Sequence, residues 1–464
     1  MTNVAYAPEE AIAAIATALA PSALGIVRAS GRDCVGLLSK IFSRPKSLLE
    51  AAGNSIVYGW IKDGEDRIDE VLVSVFRSPR SFTGEDMIEI SCHGGVHVVQ
   101  SVYNLLLRSG FRRAECGEFT FRAYINGKTD LTRAEAVREI IESKTNESRS
   151  RAAGRLAGNL HESIDGVKKQ IVGALAKIEV EIEYPEDEET IADSFDSSAL
   201  RDAMSALSRL SESWRSEKIY QDGARVVLCG RTNVGKSSLF NTLLKEDRAI
   251  VSEIEGTTRD FIESWIDFSG VPARLFDTAG LRETSDVIEA VGVERTKDLS
   301  GDADLILYLA DACSGLNDED EAFIKEHISS VPKIPLILVW NKCDLIEEPS
   351  FVPRDSFFGR IPQVKVSAKS GAGLGELSEE VRSAICASGK SERDGAGLGS
   401  ERQKVAVEKA LECVRHALSV TADYALDAVV QDLEDALDFL GEITGEVTPE
   451  DVLDSVFSNF CVGK

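Results

Sequence analysis

The chain has 464 residues, of which 43% are hydrophobic and 28% are charged, and its formal net charge is −26. This length exceeds what one hydrophobic core usually organises, and it predicts two or three domains. The acidic excess excludes a broadly basic surface that coats nucleic acid, because phosphate binding depends on Lys and Arg. Any contact with RNA is therefore expected to be local, or shared with a partner.

The nine cysteines are scattered along the chain, without a CxxC pair or a spacing typical of a metal site. This usage indicates a reducing cytoplasm. The most apolar early stretch, residues 11–20, follows two glutamates and is too short to span a bilayer. We interpret it as the first ordered element of a folded domain.

Apolar runs separated by turn signals occur in the first 120 residues and predict a mixed α/β domain. They lie at residues 23–28, 55–60, 70–76 and 87–91. From about residue 130 the apolar spacing becomes helical, beginning with a capping box at Thr132 and Glu135. A long helix with one apolar stripe is predicted from Leu156, Leu160, Ile164, Val167, Ile171, Leu175 and Ile178.

Residues 230–237 match the phosphate-binding pattern GxxxxGK[ST], between an apolar run at 225–229 and helical spacing at 236–245. A loop that joins a strand to a helix in this way directs backbone N–H groups at phosphates. Lys236 would supply a point charge, and the Ser237 hydroxyl would bind Mg²⁺. The N–H groups expected to hold the phosphates are those of Asn233, Val234, Gly235, Lys236, Ser237 and Ser238.

Four further motifs of a guanine-nucleotide switch follow in order, at residues 256–260, 277–280, 341–344 and 367–369. Thr258 would complete the set of Mg²⁺ ligands, and the Asp277 carboxylate would act on Mg²⁺ through its bound water. Gly280 would leave room for its backbone amide to approach the γ-phosphate. The carboxylate of Asp344 can accept both N1–H and the exocyclic amine of guanine, a pair that adenine does not offer. The motifs also assign to the GTP site Thr278, Ala279, Asn341, Lys342, Ser367, Ala368 and Lys369.

The residue after Asp-Thr-Ala-Gly is Leu281, where Ras-like switches have a Gln that orients water. An apolar side chain cannot orient the attacking water, so catalysis needs another group. Several residues downstream could provide it, and the residues alone do not rank them: Arg282, Glu283, Asp286 and Glu289.

Strand and helix patterns alternate from about 222 to 386, a Gly- and Ser-rich stretch at 388–400 predicts a flexible loop, and helical spacing then returns. The predicted fold class is therefore multidomain, α/β and all-α, with a Ras-like P-loop GTPase domain inserted in a helical bundle. The predicted domains are an N-terminal α/β domain at 1–122, a helical domain in two parts at 123–220 and 387–464, and the GTPase domain at 221–386.

The chain ends in Phe-Cys-Val-Gly-Lys at 460–464. This ending, joined to an inserted GTPase domain with Gly-Thr-Thr-Arg-Asp at 256–260, closely resembles the MnmE (TrmE) family of tRNA-modification GTPases. N-terminal strings at 82–86, 91–95, 117–119 and 126–128 agree with the family pattern. The resemblance covers essentially the full length.

The resemblance implies a cytoplasmic homodimer, without a membrane anchor, that forms a heterotetramer with an FAD-dependent partner called MnmG or GidA. The complex would place an aminomethyl or carboxymethylaminomethyl group on the wobble uridine of tRNAs. Its one-carbon donor would be a tetrahydrofolate derivative, 5-formyl- or methylene-tetrahydrofolate, bound by the N-terminal domain. By motif match the folate pocket would contain Arg28, Glu89, Lys128 and Lys464.

For the GTPase domain the resemblance implies a potassium ion near the γ-phosphate. The positions that match its ligands are Asn233, Ser252, Ile254 through its carbonyl, and Thr257. Three of these, Asn233, Ser252 and Thr257, also belong to the predicted nucleotide site. The family's water-orienting carboxylate matches Glu289. Catalysis would then involve Glu289 and Lys236, with Arg282 as a further catalytic candidate.

Two other readings compete. A ribosome-assembly or regulatory GTPase would share all five motifs, but it would usually carry a basic RNA-binding module, which the acidic balance disfavours. A scaffold with a degenerate nucleotide site is disfavoured by the intact Lys236, Asp277 and Asp344.

The last residues generate a hypothesis of their own. Val452, Val456 and Phe460 recur at intervals of four and would anchor a terminal helix that opens at Thr448. Residues 461–464 would then project beyond it, and we expect them to reach the pocket near Arg28.

Overall fold

The computed structural model describes residues 10–183, 197–245, 263–277, 303–329, 334–346, 361–386, 397–420 and 426–464. The chain divides into two units by its internal contacts. The first comprises Met1–Arg138, Ile164–Ile182 and Val420–Lys464, and the second comprises Glu139–Ser163 and Glu183–Ser419. The domain boundaries expected from the sequence stay a prediction. Among the described helices, none combines the length and the apolar character needed to cross a membrane.

The first unit contains a six-stranded sheet in the order β3-β4-β5-β2-β1-β6, antiparallel except for the β1–β6 pair. Its strands are β1 Ile12–Ile15, β2 Leu24–Ser30, β3 Ser55–Asp63, β4 Asp66–Phe76, β5 Met87–His93 and β6 Arg112–Arg113. Three helices intervene, namely α1 Cys34–Ser39, α2 Pro45–Leu49 and α3 Val96–Arg108.

The two faces of this sheet differ because successive side chains in a strand point to opposite sides. On one face, buried residues such as Val27, Val73 and Ile90 pack with Leu38 of α1 and Leu106 of α3. The other face carries polar and charged side chains, among them Arg28 and Glu89, which are paired across β2 and β5. One face of the sheet is thus buried in the core, and the other carries polar side chains that can bind a ligand.

The first unit also contains α4 Glu118–Ile125, most of α5 Leu131–Glu142 and of α7 Asn159–Glu183, and also α13 Leu426–Thr444 and α14 Glu450–Ser458. The terminal helix α14 is anchored by Phe457 and Phe460, which are buried with Leu131 and Ala134. The expected stripe was partly wrong, because Phe457 rather than Val452 is fully buried. The phenyl ring offers more apolar area to bury than the Val side chain does.

Two helix predictions also need correction. The long helix begins only at Asn159, because Gly158 in a left-handed conformation ends the preceding helix α6 Asn146–Ala157, to which the exposed Leu156 belongs. Within α7 the stripe is otherwise confirmed at Leu160, Ile164 and Ile171. The capping box at Thr132 was wrong, because α5 begins one residue earlier and Asp130 accepts the free N–H of Arg133.

The second unit contains a six-stranded sheet in the order β12-β11-β10-β7-β9-β8, parallel except for β8. Its strands are β7 Ala224–Cys229, β8 Glu263–Phe268, β9 Val271–Asp277, β10 Leu305–Asp311, β11 Leu336–Asn341 and β12 Gln363–Lys365. The described helices of this unit, besides α6, the end of α5 and the start of α7, are α8 Ser198–Asp222, α9 Lys236–Lys245, α10 Asp318–Ser329, α11 Leu374–Cys386 and α12 Glu401–Val420.

The central strands of this sheet are buried on both faces, as is typical of parallel sheets covered by helices. Two separate apolar clusters cover the faces, one with Leu239 and Val381 and the other with Ile324. Sheets of this kind bind ligands where their strands end. The fold class predicted from the sequence, multidomain α/β and helical, is confirmed.

A buried ionic cluster joins the helical segments of the second unit. The carboxylate of Glu217 on α8 accepts from Arg151 at 2.5 Å and from Arg155 at 2.9 Å, and all three side chains are buried. Arg155 also pairs with Glu139 at 2.5 Å and donates to the carbonyl of Gly397 at 3.3 Å.

The end of the predicted flexible loop is therefore packed. Residues 397–400 lie against this cluster, and Leu398 is fully buried. Residues 387–396 lie outside the described part of the chain.

Replacing Glu217 with Gln should destabilise this unit. The exchange keeps the shape but leaves the buried guanidinium groups of Arg151 and Arg155 short of negative charge, and breaking a buried pair typically costs about 3–5 kcal/mol. Thermal unfolding followed by circular dichroism should therefore begin at a lower temperature.

Glu212→Gln provides the matched control, because Glu212 lies on the same helix and is exposed. It should change the stability by less than about 0.5 kcal/mol. Equal unfolding temperatures for both variants would contradict an energetic role for the cluster.

Candidate nucleotide-binding site

The loop of residues 230–235 joins the end of β7 to the start of α9. β10 lies beside β7 and β11 lies beside β10 in the same parallel sheet, so their final residues Asp311 and Asn341 lie at the same edge. The packing leaves no room for a side chain at Gly235, where a Cβ would lie 2.2 Å from the Asn341 amide nitrogen. Only glycine allows the loop to approach β11 this closely.

Lys236 is buried beneath the loop at the first position of α9. Its ammonium donates to the carbonyls of Gly230 at 2.7 Å and Arg231 at 2.6 Å. These contacts hold a positive charge at the helix N-terminus, where the peptide dipoles already favour anions. The arrangement therefore suits phosphate groups.

Asn341 links the phosphate loop to the segment at 367–369. Its side chain is almost completely buried, its amide nitrogen donates to the Val234 carbonyl at 2.8 Å, and its amide oxygen accepts from Ala368 N–H at 3.0 Å. The hydroxyl of Ser367 donates to the Asp344 carboxylate at 2.7 Å. The two motifs expected to bind the base, at 341–344 and 367–369, are thus joined to the loop expected to bind the phosphates.

A cavity of about 560 Å³ opens between these segments. Its lining includes Gly235, Asn341, Asp344, Ala368 and Lys369. Asp344 is exposed, so its carboxylate is accessible to a base. The volume and the few convergent polar groups are typical of a small-molecule site.

Lys342 adds a second bridge from the base motif to the phosphate loop. Its ammonium donates to the Asn233 carbonyl at 2.9 Å and pairs with Asp311 at 2.7 Å. Although partial burial opposes the shift, the hydrogen bond from Lys342 holds the pKa of the Asp311 carboxyl below its ordinary value. The loop is thereby fixed from its far side by an ion pair.

The phosphate loop has another anchor that no motif indicated. Arg231 lies 2.9 Å from the buried carboxylate of Asp320, at the start of α10, and donates to the Gly315 carbonyl. Asp320 also accepts from the Tyr308 hydroxyl at 2.6 Å. Burial, and then this hydrogen bond, raise the pKa of Tyr308. Arg231 occupies a variable position of the phosphate-binding pattern and Asp320 lies outside all five motifs, so spacing alone could not reveal them.

Several predicted site residues lie outside the described part of the chain. They are Ser252, Ile254, Thr257, Thr258, Thr278, Ala279, Gly280, Arg282 and Glu289. Asp277 is described as the last residue of β9, next to Leu228 of β7. The structure thus brings together the phosphate and base motifs, and Ser237 and Ser238 lie in the first turn of α9.

The other group of predicted site residues lies in the first unit, on the polar face of its sheet. Arg28 pairs with Glu89 at 2.5 Å, and both side chains are partly exposed. The Arg28 guanidinium lies 5.5 Å from the ring centre of Phe119 and 5.9 Å from that of Phe82. The Lys128 ammonium donates instead to the carbonyl of Pro79.

The C-terminal residues reach this pair. Arg28 donates to the Gly463 carbonyl at 3.0 Å, and Phe119 N–H donates to the Lys464 carbonyl at 3.2 Å. Val462 forms an antiparallel bridge with Cys116. Cys461 is exposed, so it does not pack the terminal helix. The expected approach of residues 461–464 to Arg28 is confirmed.

Comparison with known proteins agrees with this arrangement. The sequence model of the MnmE helical domain matches residues 131–461, and that of the GTP-binding protein TrmE N-terminus matches residues 11–128. The tRNA modification GTPase MnmE of Treponema denticola is 51% identical over 99% of both chains. The chain belongs to the MnmE family. Its predicted class as an enzyme, a GTP hydrolase, is confirmed by this membership.

Other MnmE relatives are similar over the same length. The protein of Borrelia turicatae is 41% identical over 100% of both chains, and that of Treponema pallidum strain Nichols is 40% identical over 99% of both. Among solved structures, a variant of Aquifex aeolicus Era bound to GDP·AlF4⁻ is 28% identical, with a TM-score of 0.29, over 41% of this chain and 66% of that one.

Replacing Asp344 with Asn should weaken GTP binding by about 2–3 kcal/mol, because the expected charge-assisted contact of its carboxylate with guanine would be lost. The variant should bind xanthosine triphosphate better than GTP, since xanthine offers an acceptor where guanine has its amine. Titration calorimetry with both nucleotides provides the measurement.

Ser370→Ala is a suitable control for this substitution, because Ser370 follows the 367–369 motif without belonging to it. Unchanged GTP affinity in Asp344→Asn would remove the assigned role of the carboxylate.

Proposed function

We propose that the chain hydrolyses GTP as one subunit of a complex that modifies the wobble uridine of tRNA. Its FAD-dependent partner would be MnmG-like, and the group added would be aminomethyl or carboxymethylaminomethyl. The observation that carries the GTP part is the Asn341 bridge, which joins the phosphate loop to Ala368 beside an accessible Asp344. The tRNA part is supported by the relatives, which are named tRNA modification GTPases.

Magnesium would be held by Ser237 and Thr258, with Asp277 near its bound water. Ser237 fits this role because it is an exposed residue with a hydroxyl in the first turn of α9, directly after Lys236 in the sequence. When bound, the ion would neutralise charge on the β- and γ-phosphates. Lys236 would bind the same phosphates.

Potassium would be held by Asn233, Ser252, Ile254 and Thr257. Asn233 supports this proposal because it has a left-handed backbone, with φ of 64°, and an exposed side chain in the phosphate loop. When bound there, the ion would supply the positive charge that an arginine provides in other switches. Glu289 would orient the attacking water, and Arg282 remains a further catalytic candidate.

A tetrahydrofolate derivative, 5-formyl or methylene, would bind beside Arg28 and Glu89. A carboxylate can accept the donor edge of a pterin, and the rings of Phe82 and Phe119 offer apolar faces near it. Lys128 and Lys464 would interact with the carboxylates of the folate tail. The one-carbon unit carried by this ligand would then lie near residues 461–464.

A homodimer is supported by an apolar patch on the first sheet. Ile56, Tyr58 and Leu72 are 66%, 44% and 47% exposed, and Tyr58 and Leu72 are direct cross-strand neighbours on one face. Adjacent exposed apolar side chains are typical of protein contacts. Two copies joined in this way would each bind one MnmG-like partner, which gives a heterotetramer.

The proposed compartment is the cytoplasm, without membrane attachment. All nine cysteines are free thiols, which suits a reducing environment. The other candidate function, a ribosome-assembly or regulatory GTPase, is disfavoured because relatives matched over the full length are named tRNA modification GTPases.

The catalytic proposal predicts a dependence on the monovalent cation. Hydrolysis should be about 100-fold faster in K⁺ than in Na⁺ or Cs⁺, the order contributed by one preorganised contact to the transition state. Glu289→Ala should bind GTP normally but turn over at least about 100-fold more slowly, whereas Glu283→Ala should stay near wild type. Rates that are equal in all three cations would rule out the potassium site.

The tail geometry predicts a loss of modification without a loss of hydrolysis. A Cβ at Gly463, where φ is 97°, would lie 3.0 Å from the Ile15 carbonyl, so Gly463→Ala should displace the tail. Both this variant and deletion of residues 461–464 should retain folding and GTPase rate, and tRNA modification in the reconstituted complex should fall at least about tenfold.

Gly64→Ala controls for backbone strain, because Gly64 has φ of 62° but no neighbour near its missing Cβ. If tail variants modified tRNA as fast as this control, the tail would have only a structural role.

A further inference from the structure

A second cavity in the second unit lies at the opposite edge of the sheet from the nucleotide site. Its volume is about 740 Å³. The end of α8, the first residues of β7 and the residues that precede β10 and β11 line it, together with the end of α11. The phosphate loop and Asn341 lie where these strands end. The length of the strands therefore separates this cavity from the GTP site.

The charge of this cavity is opposite to that of the whole chain. Among the described residues, its lining contains four basic side chains, Arg215, Lys218, Arg225 and Arg274, and two acidic ones, Asp222 and Asp304. In the whole sequence 78 acidic residues outnumber 52 basic ones. Basic side chains thus outnumber acidic ones here, in a protein whose surface field must be negative on average. Such a local reversal attracts an anion.

Two of the cations are neighbours across the sheet. Arg225 and Arg274 are in register on the parallel strands β7 and β9, and like charges in such positions repel each other. Arg274 donates to the Asp222 carbonyl at 3.0 Å, so the end of α8 helps to fix it in place. The sheet thus places two arginine residues side by side at this cavity.

Aromatic rings accompany the cations. The Lys218 ammonium lies 5.9 Å from the ring centre of Trp214, which also lines the cavity. The Arg274 guanidinium lies 4.9 Å from that of Trp265. Sites for single-stranded RNA combine cations for the backbone with aromatic rings on which bases stack. A simple inorganic anion would need no ring.

We propose that this cavity binds the backbone of RNA, with Arg215 and Lys218 on its phosphates and Trp214 against a base. The inference rests on the proposed function, in which tRNA is the substrate. It explains how a chain with a net charge of −26 can contact RNA, namely at one local basic cavity. An acidic segment of a protein partner would satisfy the cations, but it would not use the Trp214 indole that lines the cavity.

The test uses the full-length chain and a fluorescein-labelled tRNA transcript. Anisotropy titrations from about 50 to about 200 mM salt give the affinity and its salt slope. The double variant Arg215→Gln, Lys218→Gln should bind about tenfold more weakly at the lower salt, and the slope should fall by about two because two phosphate contacts are lost. The GTPase rate should not change, since the substitutions lie far from Lys236.

Arg201→Gln, Arg209→Gln is the matched control, because both residues are exposed on the same helix α8 but do not line the cavity. It changes the net charge equally and should keep the wild-type affinity and slope. Trp214→Leu should weaken binding without altering the slope, since stacking releases no counterions.

Three results would overturn the proposal. Equal losses in both double variants would indicate only a general effect of net charge. Unchanged tRNA binding in the cavity variant would exclude RNA, and loss of poly-glutamate binding by that variant alone would identify an acidic protein partner instead. Wild-type protein that modifies tRNA with its flavoprotein would in each case leave the proposed function intact.

Discussion

The buried amide of Asn341 is the contact on which the nucleotide site depends. It satisfies a carbonyl of the phosphate loop with one end and an N–H of the 367–369 segment with the other. Because both partners are main-chain atoms, the bridge fixes the backbone and not merely a rotamer. Loss of this side chain would leave buried polar groups without partners, which costs about 1–3 kcal/mol for each. The segment expected to bind the base and the loop expected to bind the phosphates are thereby held in place by the same side chain.

The first unit depends on a comparable long-range contact. The last residues of the chain are held by Arg28 of its sheet, by Phe119 of α4 and by the bridge between Cys116 and Val462. The buried Phe457 brings the terminal helix onto α5 and so delivers these residues to the sheet. The N-terminal sheet and the C-terminal segment are therefore in direct contact, although Arg28 and Gly463 are 435 positions apart in the sequence.

The parts that sequence could predict are those in which spacing determines the local structure. The loop before Lys236, the strands around it and the stripe of α7 follow from periodicity and motif. Asp320, Glu217 and Phe457 could not be found in this way, because each acts through partners that only the folded chain brings near. Glu217 is one of two glutamates on α8, and nothing in its sequence neighbours marks it, unlike Glu212, as buried between two arginines. The capping box failed for a local reason, since Asp130 lies two residues before Thr132 and caps the helix there by accepting from the Arg133 N–H.

Helix α8 and strand β7 are joined by Gly223 alone. The helix has 25 residues, so it is about 37 Å long, and the Glu217 cluster lies within two turns of its junction with the strand. A tilt of about 10° at this junction would move the far end of the helix by about 6 Å. The strand that leads into the phosphate loop is thus attached directly to one end of this long helix. A small change of angle at the strand would therefore produce a larger displacement at the far end of the helix.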